Sequence, residues 1–161
     1  MNRAAFAVVL FAVGCMPASW QKARALEGKY RIGNPGAGWG TVAPGGADHA
    51  WFHKAAGATI YTDSNCGDRF KEARTQDLAT ELVAGLQGAT QDLEVVRAIG
   101  PREGVVRTHT GRLDGIPMRL GVAVVNHHWC TYDFVLIAPV GQLDTLWADY
   151  ESVLDGFDPV R

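Results

Sequence analysis

Residues 93–138 restrict what this chain can fold into more than any other segment. Four extended stretches follow one another there, separated by turn residues. Residues 93–99 read as a strand that ends at Gly100-Pro101, and 105–113 as a second. Asp114-Gly115 is a two-residue hairpin signal, because both turn positions require positive φ. Residues 116–125 are the third expected strand, 126–128 a turn, and 129–138 the fourth, ended by Pro139. In the last, Phe134-Val135-Leu136-Ile137 is apolar on both alternating faces, which predicts a central strand covered on both sides.

Two helices can supply that cover. The first is expected over 77–87, capped by Thr75 or Asp77 and stopped by Gly88, with Leu78, Leu82, Val83 and Leu86 on one stripe. The second is expected over 142–154, where Leu143, Leu146, Trp147, Tyr150 and Leu154 share a face. Gly156 can cap it and Phe157 can pack back on it. Upstream, 29–32 is a candidate strand. The Gly-rich stretch 33–46 reads as loop, with a short extended piece at 41–43. Residues 50–54 and 58–62 read as two strands around a turn at 55–57, with Trp51 and His53 on one face. Residues 63–68 read as a loop of turn formers. The fold class that follows is α+β: a mainly antiparallel sheet with two amphipathic helices packed on it.

The N-terminus specifies a compartment. Met1-Asn2-Arg3 precedes an uncharged apolar run over 4–13, the layout of a secretory signal and too short to span a bilayer. Ala12-Val13-Gly14-Cys15 resembles the bacterial lipobox, although Ala12 stands where Leu is usual; the resemblance implies lipidation of Cys15. Residues 1–14 are then a signal peptide, 15–28 a lipid attachment site and tether, and 29–161 a single α/β domain. Ala23-Arg24-Ala25 offers a competing site for ordinary signal peptidase, with cleavage after Ala25. Met16 rather than Asp after Cys15 points, by resemblance to Gram-negative sorting, to the periplasmic face of the outer membrane.

Either route takes Cys15 out of disulfide chemistry. Cys66 and Cys130 remain as a pair in an oxidising compartment, so a disulfide between them is expected; two free thiols are the alternative.

Tyr30-Arg31-Ile32, followed by Pro35 and Trp39, then Gly57-Ala58-Thr59-Ile60, the hairpin strands and the final Leu/Trp helix, resembles the PsbP-like α/β/α domains. That family includes an extrinsic subunit of photosystem II and many small bacterial envelope lipoproteins. The Ser-Asn-Cys-Gly and Cys-Thr-Tyr-Asp pieces around Cys66 and Cys130 are similar to such lipoproteins. The resemblance covers about residues 29–157. It implies a non-catalytic binding or assembly role and carries over no catalytic residue.

The residues themselves lean the same way. No G-x-S-x-G elbow or phosphate loop occurs. The glycines at 33, 36, 38 and 40 lack the helix that phosphate binding requires. His49, His53, His127 and His128 with Cys66 or Cys130 leave open a Cys/His enzyme or metal-handling protein, without the close paired ligands of a zinc site. Asp63, Asn65 and Asp68 are too few for a calcium loop. No metal, cofactor or catalytic residue is therefore assigned. A net charge of −2, with no Lys/Arg run longer than two, lacks the footprint of a nucleic-acid binder. Trp39, Trp51, Tyr61 and Trp129 remain as candidates for a ligand or partner surface, against the plainer reading that they plug the ends of a small core. The expected partners are the membrane, through the lipid anchor, and a protein of the envelope.

Overall fold

A computed structural model describes residues 28–159. The meander expected from the sequence is present: β5 (Gln87–Ile99), β6 (Arg102–Leu113), β7 (Ile116–His127) and β8 (Cys130–Pro139) pair antiparallel in succession. Asp114 (φ 50) and Gly115 (φ 80) form the β6–β7 turn, both left-handed as an Asp-Gly hairpin requires. A second hairpin, β3 (His49–His53) and β4 (Ala58–Cys66), joins the meander through β4 and β8, and β2 (Trp39–Thr41) pairs with β3. The result is a seven-stranded sheet in the order β2-β3-β4-β8-β7-β6-β5. β1 (Tyr30–Arg31) pairs with β9 (Asp158–Pro159) in a separate ribbon.

The two helices lie on opposite faces of this sheet. On one face α2 (Leu143–Asp155) buries Leu143, Leu146, Tyr150, Val153 and Leu154 against Ile60, Val106, Ala123, Phe134 and Leu136, with Phe157 folded back into the same core. On the other, α1 (Thr75–Leu82) and the turn after it bury Ala79, Val83 and Leu86 against Val105, Leu120, Val122, Val124 and Val135. β8 supplies alternate residues to both cores, as the doubly apolar 134–137 run predicts. The architecture is α+β, with one helix layered on each face of the sheet.

The elements differ from the sequence reading at several ends. Residues 63–66 are the end of β4 rather than loop, because eight consecutive pairs with β8, from Thr59↔Ile137 to Cys66↔Cys130, hold them extended. α1 ends at Leu82, five residues short of 87, and neither Thr75 nor Asp77 caps it; Arg74 is the N-cap, with no side-chain hydrogen bond. Gly88 (φ 62) lies in β5, beside a register shift, instead of stopping the helix. Sheet pairing there outweighs a helix stripe that the sequence carries past its end. The extended piece at 41–43 is displaced to 39–41 by its pairing with β3. His128 (φ 57) and Trp129 form the β7–β8 turn, so β8 begins one residue later than expected.

Close backbone packing seats the C-terminal end of α2. A Cβ on Gly156 would lie 2.2 Å from the nitrogen of Gly33, and one on Gly33 would lie 1.8 Å from the carbonyl oxygen of Ser152. The Gly33 N–H donates to the Val153 carbonyl at 3.1 Å. Glycine at both positions lets the N-terminal segment cross the helix end in direct backbone contact.

Candidate functional site

α1 packs on β6 and β7, and among the described residues no helix packs over the same face of β3 and β4. A groove of about 390 Å³ lies there. Val42, Pro44 and Ala47 form one wall, and Ala50, Thr59, Tyr61 and Asp63 line the other. Strand alternation explains the second wall. Ala50 pairs with Tyr61, so both point to this face, while Trp51 and Ile60 point to the other.

Asp63 stands directly opposite Asp133 on β8. Asp133 is buried, and its carboxyl is pushed up to about 7 by burial, against a hydrogen bond from Thr131, with Asp63 and Glu81 adding to the rise. Two carboxylates opposed across strands repel when both are charged. The floor of this face therefore holds a carboxyl that is partly protonated near neutral pH. The Tyr61 phenol is raised above its ordinary value by burial, then by Asp133 and Asp63. It can donate a hydrogen bond and does not supply a phenolate. The groove combines apolar walls with one acidic edge at Asp63, and Asp133 stands opposite that edge on β8.

The residues singled out in the sequence fall in three places. Tyr61 lines the groove. Trp39 and Trp51 lie on the α2 face, partly buried against its core. The Trp39 Nε1–H donates to Asp149 of α2 at 2.9 Å, and its ring meets His53 edge-on. The Trp51 ring stacks on His49. Trp129 is at the β7–β8 turn under the Lys71 ammonium, 5.3 Å from its ring centre. Cys66 and Cys130 are joined as a disulfide, and in that state neither sulfur is a thiolate. Among the described residues no three His, Cys, Asp or Glu side chains are placed to hold a metal ion. Cys15 lies outside the described residues.

The sequence reading missed Asp133. The signal was an Asp inside an otherwise apolar strand. It placed Asp63 in a loop, where only the strand register shows its neighbour.

No protein-family model matches the chain, and no curated protein matches it in sequence. Solved structures do. The chain is similar to cyanobacterial PsbP (CyanoP) from Synechocystis, with a TM-score of 0.61 at 13% identity, over 83% of this chain and 88% of that one. It is similar to LpqN, involved in cell envelope biogenesis of Mycobacterium tuberculosis, with a TM-score of 0.61 at 10% identity, over 80% and 81%. A protein of unknown function from Pseudomonas aeruginosa, PA94, gives 0.56 at 12% identity, over 91% and 90%. With the three-layer architecture and the strand order above, these likenesses show that the chain has the PsbP-like fold, which it shares with bacterial proteins.

Proposed function

We propose that this chain is a lipid-anchored protein of the bacterial envelope, held at the periplasmic face of the outer membrane through Cys15. Its folded part binds a protein or small-molecule partner without transforming it. The observation that carries the binding reading is the groove between the 42–47 segment and the β3–β4 hairpin. It is a concave, largely apolar site with a few convergent polar groups, on the face that α1 leaves open. The likeness of the fold to LpqN, a protein of envelope biogenesis, supports the location. So does the basic, apolar start of the sequence. Among the described residues no helix is long and apolar enough to cross a membrane, so attachment would rest on the anchor.

Two measurements test this. The intact mass of full-length protein extracted from membranes of a Gram-negative host should begin at Cys15 with lipid added. A mass that begins at Leu26 without lipid defeats the anchor. A photo-crosslinking residue at Val42, in the groove, should give adducts in cells that the same residue at Val140, exposed and outside the groove, does not. Equal adducts at both positions, or none at Val42, defeat the groove as the binding site.

A further inference from the structure

The described chain begins at one particular end of the sheet. The Gly28 N–H donates to Ser64 Oγ at 2.7 Å, and Ser64 lies two residues before Cys66 in β4. The Cys66–Cys130 disulfide and the β7–β8 turn mark the same end, where Gly67 N–H donates to the Trp129 carbonyl at 2.8 Å. The β6–β7 turn at Asp114-Gly115 and the β3–β4 turn with Lys54 lie at the other end. A chain anchored upstream of Gly28 is therefore attached at the disulfide end. Twelve residues, 16–27, separate Cys15 from Gly28, a reach of at most about 45 Å even fully extended.

That end carries exposed cations and an aromatic. Arg69, Lys71 and Arg74 are exposed, and none has an ion-pair partner among the described residues, although Asp68 precedes them and Glu72 lies among them in sequence. Lys71 sits over the half-buried Trp129 ring, and Arg69 over Phe70. The sequence before Gly28 adds Trp20, Lys22 and Arg24 against Glu27. Basic groups beside an indole are what a bilayer interface selects: the cations meet anionic headgroups, and the amphipathic ring sits at headgroup level.

We propose that the disulfide end of the fold rests on the anionic membrane surface that carries the anchor, with Arg69, Lys71, Arg74 and Trp129 against the headgroups and the groove left accessible. This rests on the lipid-anchored reading above. The anchor alone would let the fold swing freely on its tether; the contact gives it one orientation.

Amine labelling tests this, because Lys71 and Lys54 mark opposite ends. The membrane-extracted full chain is inserted into preformed vesicles of 3:1 phosphatidylethanolamine and phosphatidylglycerol, or of phosphatidylcholine alone, and treated with an impermeant amine reagent. Each cation near an anionic surface favours the contact about fivefold. Labelling of Lys71 should fall by about fivefold or more in the anionic vesicles, while Lys54 labels equally in both. The double variant Arg69→Glu, Arg74→Glu keeps the reporter lysine and should lose the protection. Equal labelling of Lys71 in both vesicles overturns the proposal, as does equal protection of both lysines, or protection that survives the charge reversal. If the intact mass shows no lipid, the anchor reading fails by itself. The same vesicles added to that soluble protein still decide the face: protection of Lys71 supports the contact, and no difference overturns it.

Discussion

Asp133 sits within β8 between Tyr132 and Phe134, both of which bury their rings in the opposite core. Its folded pKa of about 7 lies above the ordinary 3.8, chiefly because burial disfavours the charge. Folding therefore favours the protonated acid. Stability from this group is fully present below about pH 4 and is lost as pH rises through about 7. Asp133→Asn mimics the protonated form. It should raise the melting temperature by several degrees at pH 8 and change it little at pH 4, since a shift of this size is on the order of 2–4 kcal/mol. Thermal unfolding at the two pH values checks this, and a variant less stable than the parent at pH 8 would show that the carboxylate is wanted charged. Part of this site could be read from the sequence. An expected disulfide between Cys66 and Cys130 implies, if the two are strand partners, that residue 63 faces 133. What the sequence does not reveal is that residues 63–66 are strand at all. Asp, Ser and Asn are turn formers, and here the pairing with β8 overrides their local preference.

At the scale of the element, α1 poses a question of attachment. It has eight residues and no side-chain cap, which is too short to be stable alone. Arg107 of β6 holds it. Its Nη1 donates to the Gln76 carbonyl at 2.9 Å and to Thr80 Oγ1 at 2.8 Å, while Nε donates to Glu94 of β5 at 2.7 Å. One buried guanidinium thus ties the helix to two strands. Arg107→Met should cost about 2–3 kcal/mol, discounted for the partly exposed Glu94, and should speed hydrogen exchange at α1 amides more than at β7. Arg107→Lys should recover only part of this, because an ammonium cannot copy the fork. Uniform exchange across α1 and β7 in the Met variant would show that the helix is held by its apolar contacts alone. The sequence indicates a helix here by its Leu/Val stripe. Arg107, however, lies in a strand whose neighbours are Val106 and Thr108, and only the folded sheet brings it to Gln76 and Thr80. The far end of the stripe misleads for a similar reason. Val83 and Leu86 are buried in the same core as the helix, yet they reach it from a turn.

For the whole molecule, the sheet is two antiparallel units joined at one seam. The β5–β8 meander and the β3–β4 hairpin are each local in sequence, and their turn residues announce them. The β4–β8 pairing that unites them joins residues about 70 positions apart, and no local pattern encodes it. The disulfide closes this seam at its end, with a sequence separation of 64. In the chain-entropy account, a loop of that length constrains the unfolded chain by about 4 kcal/mol. The loop it closes contains α1 and β5 through β7, so losing the bond frees the seam without removing any hairpin turn. Replacing both cysteines by serine should therefore lower overall stability by about that amount and loosen the seam ahead of the meander. Hydrogen exchange should rise first at β4 amides and at the β3 partners that depend on them, while the centres of β6 and β7, flanked by strands on both sides, stay protected longest. Denaturant unfolding gives the first quantity and exchange the second. If β4 and β7 exchange together in the double-serine protein, the sheet unfolds as one unit, and the β4–β8 seam is as strong as the hairpins without its covalent bond.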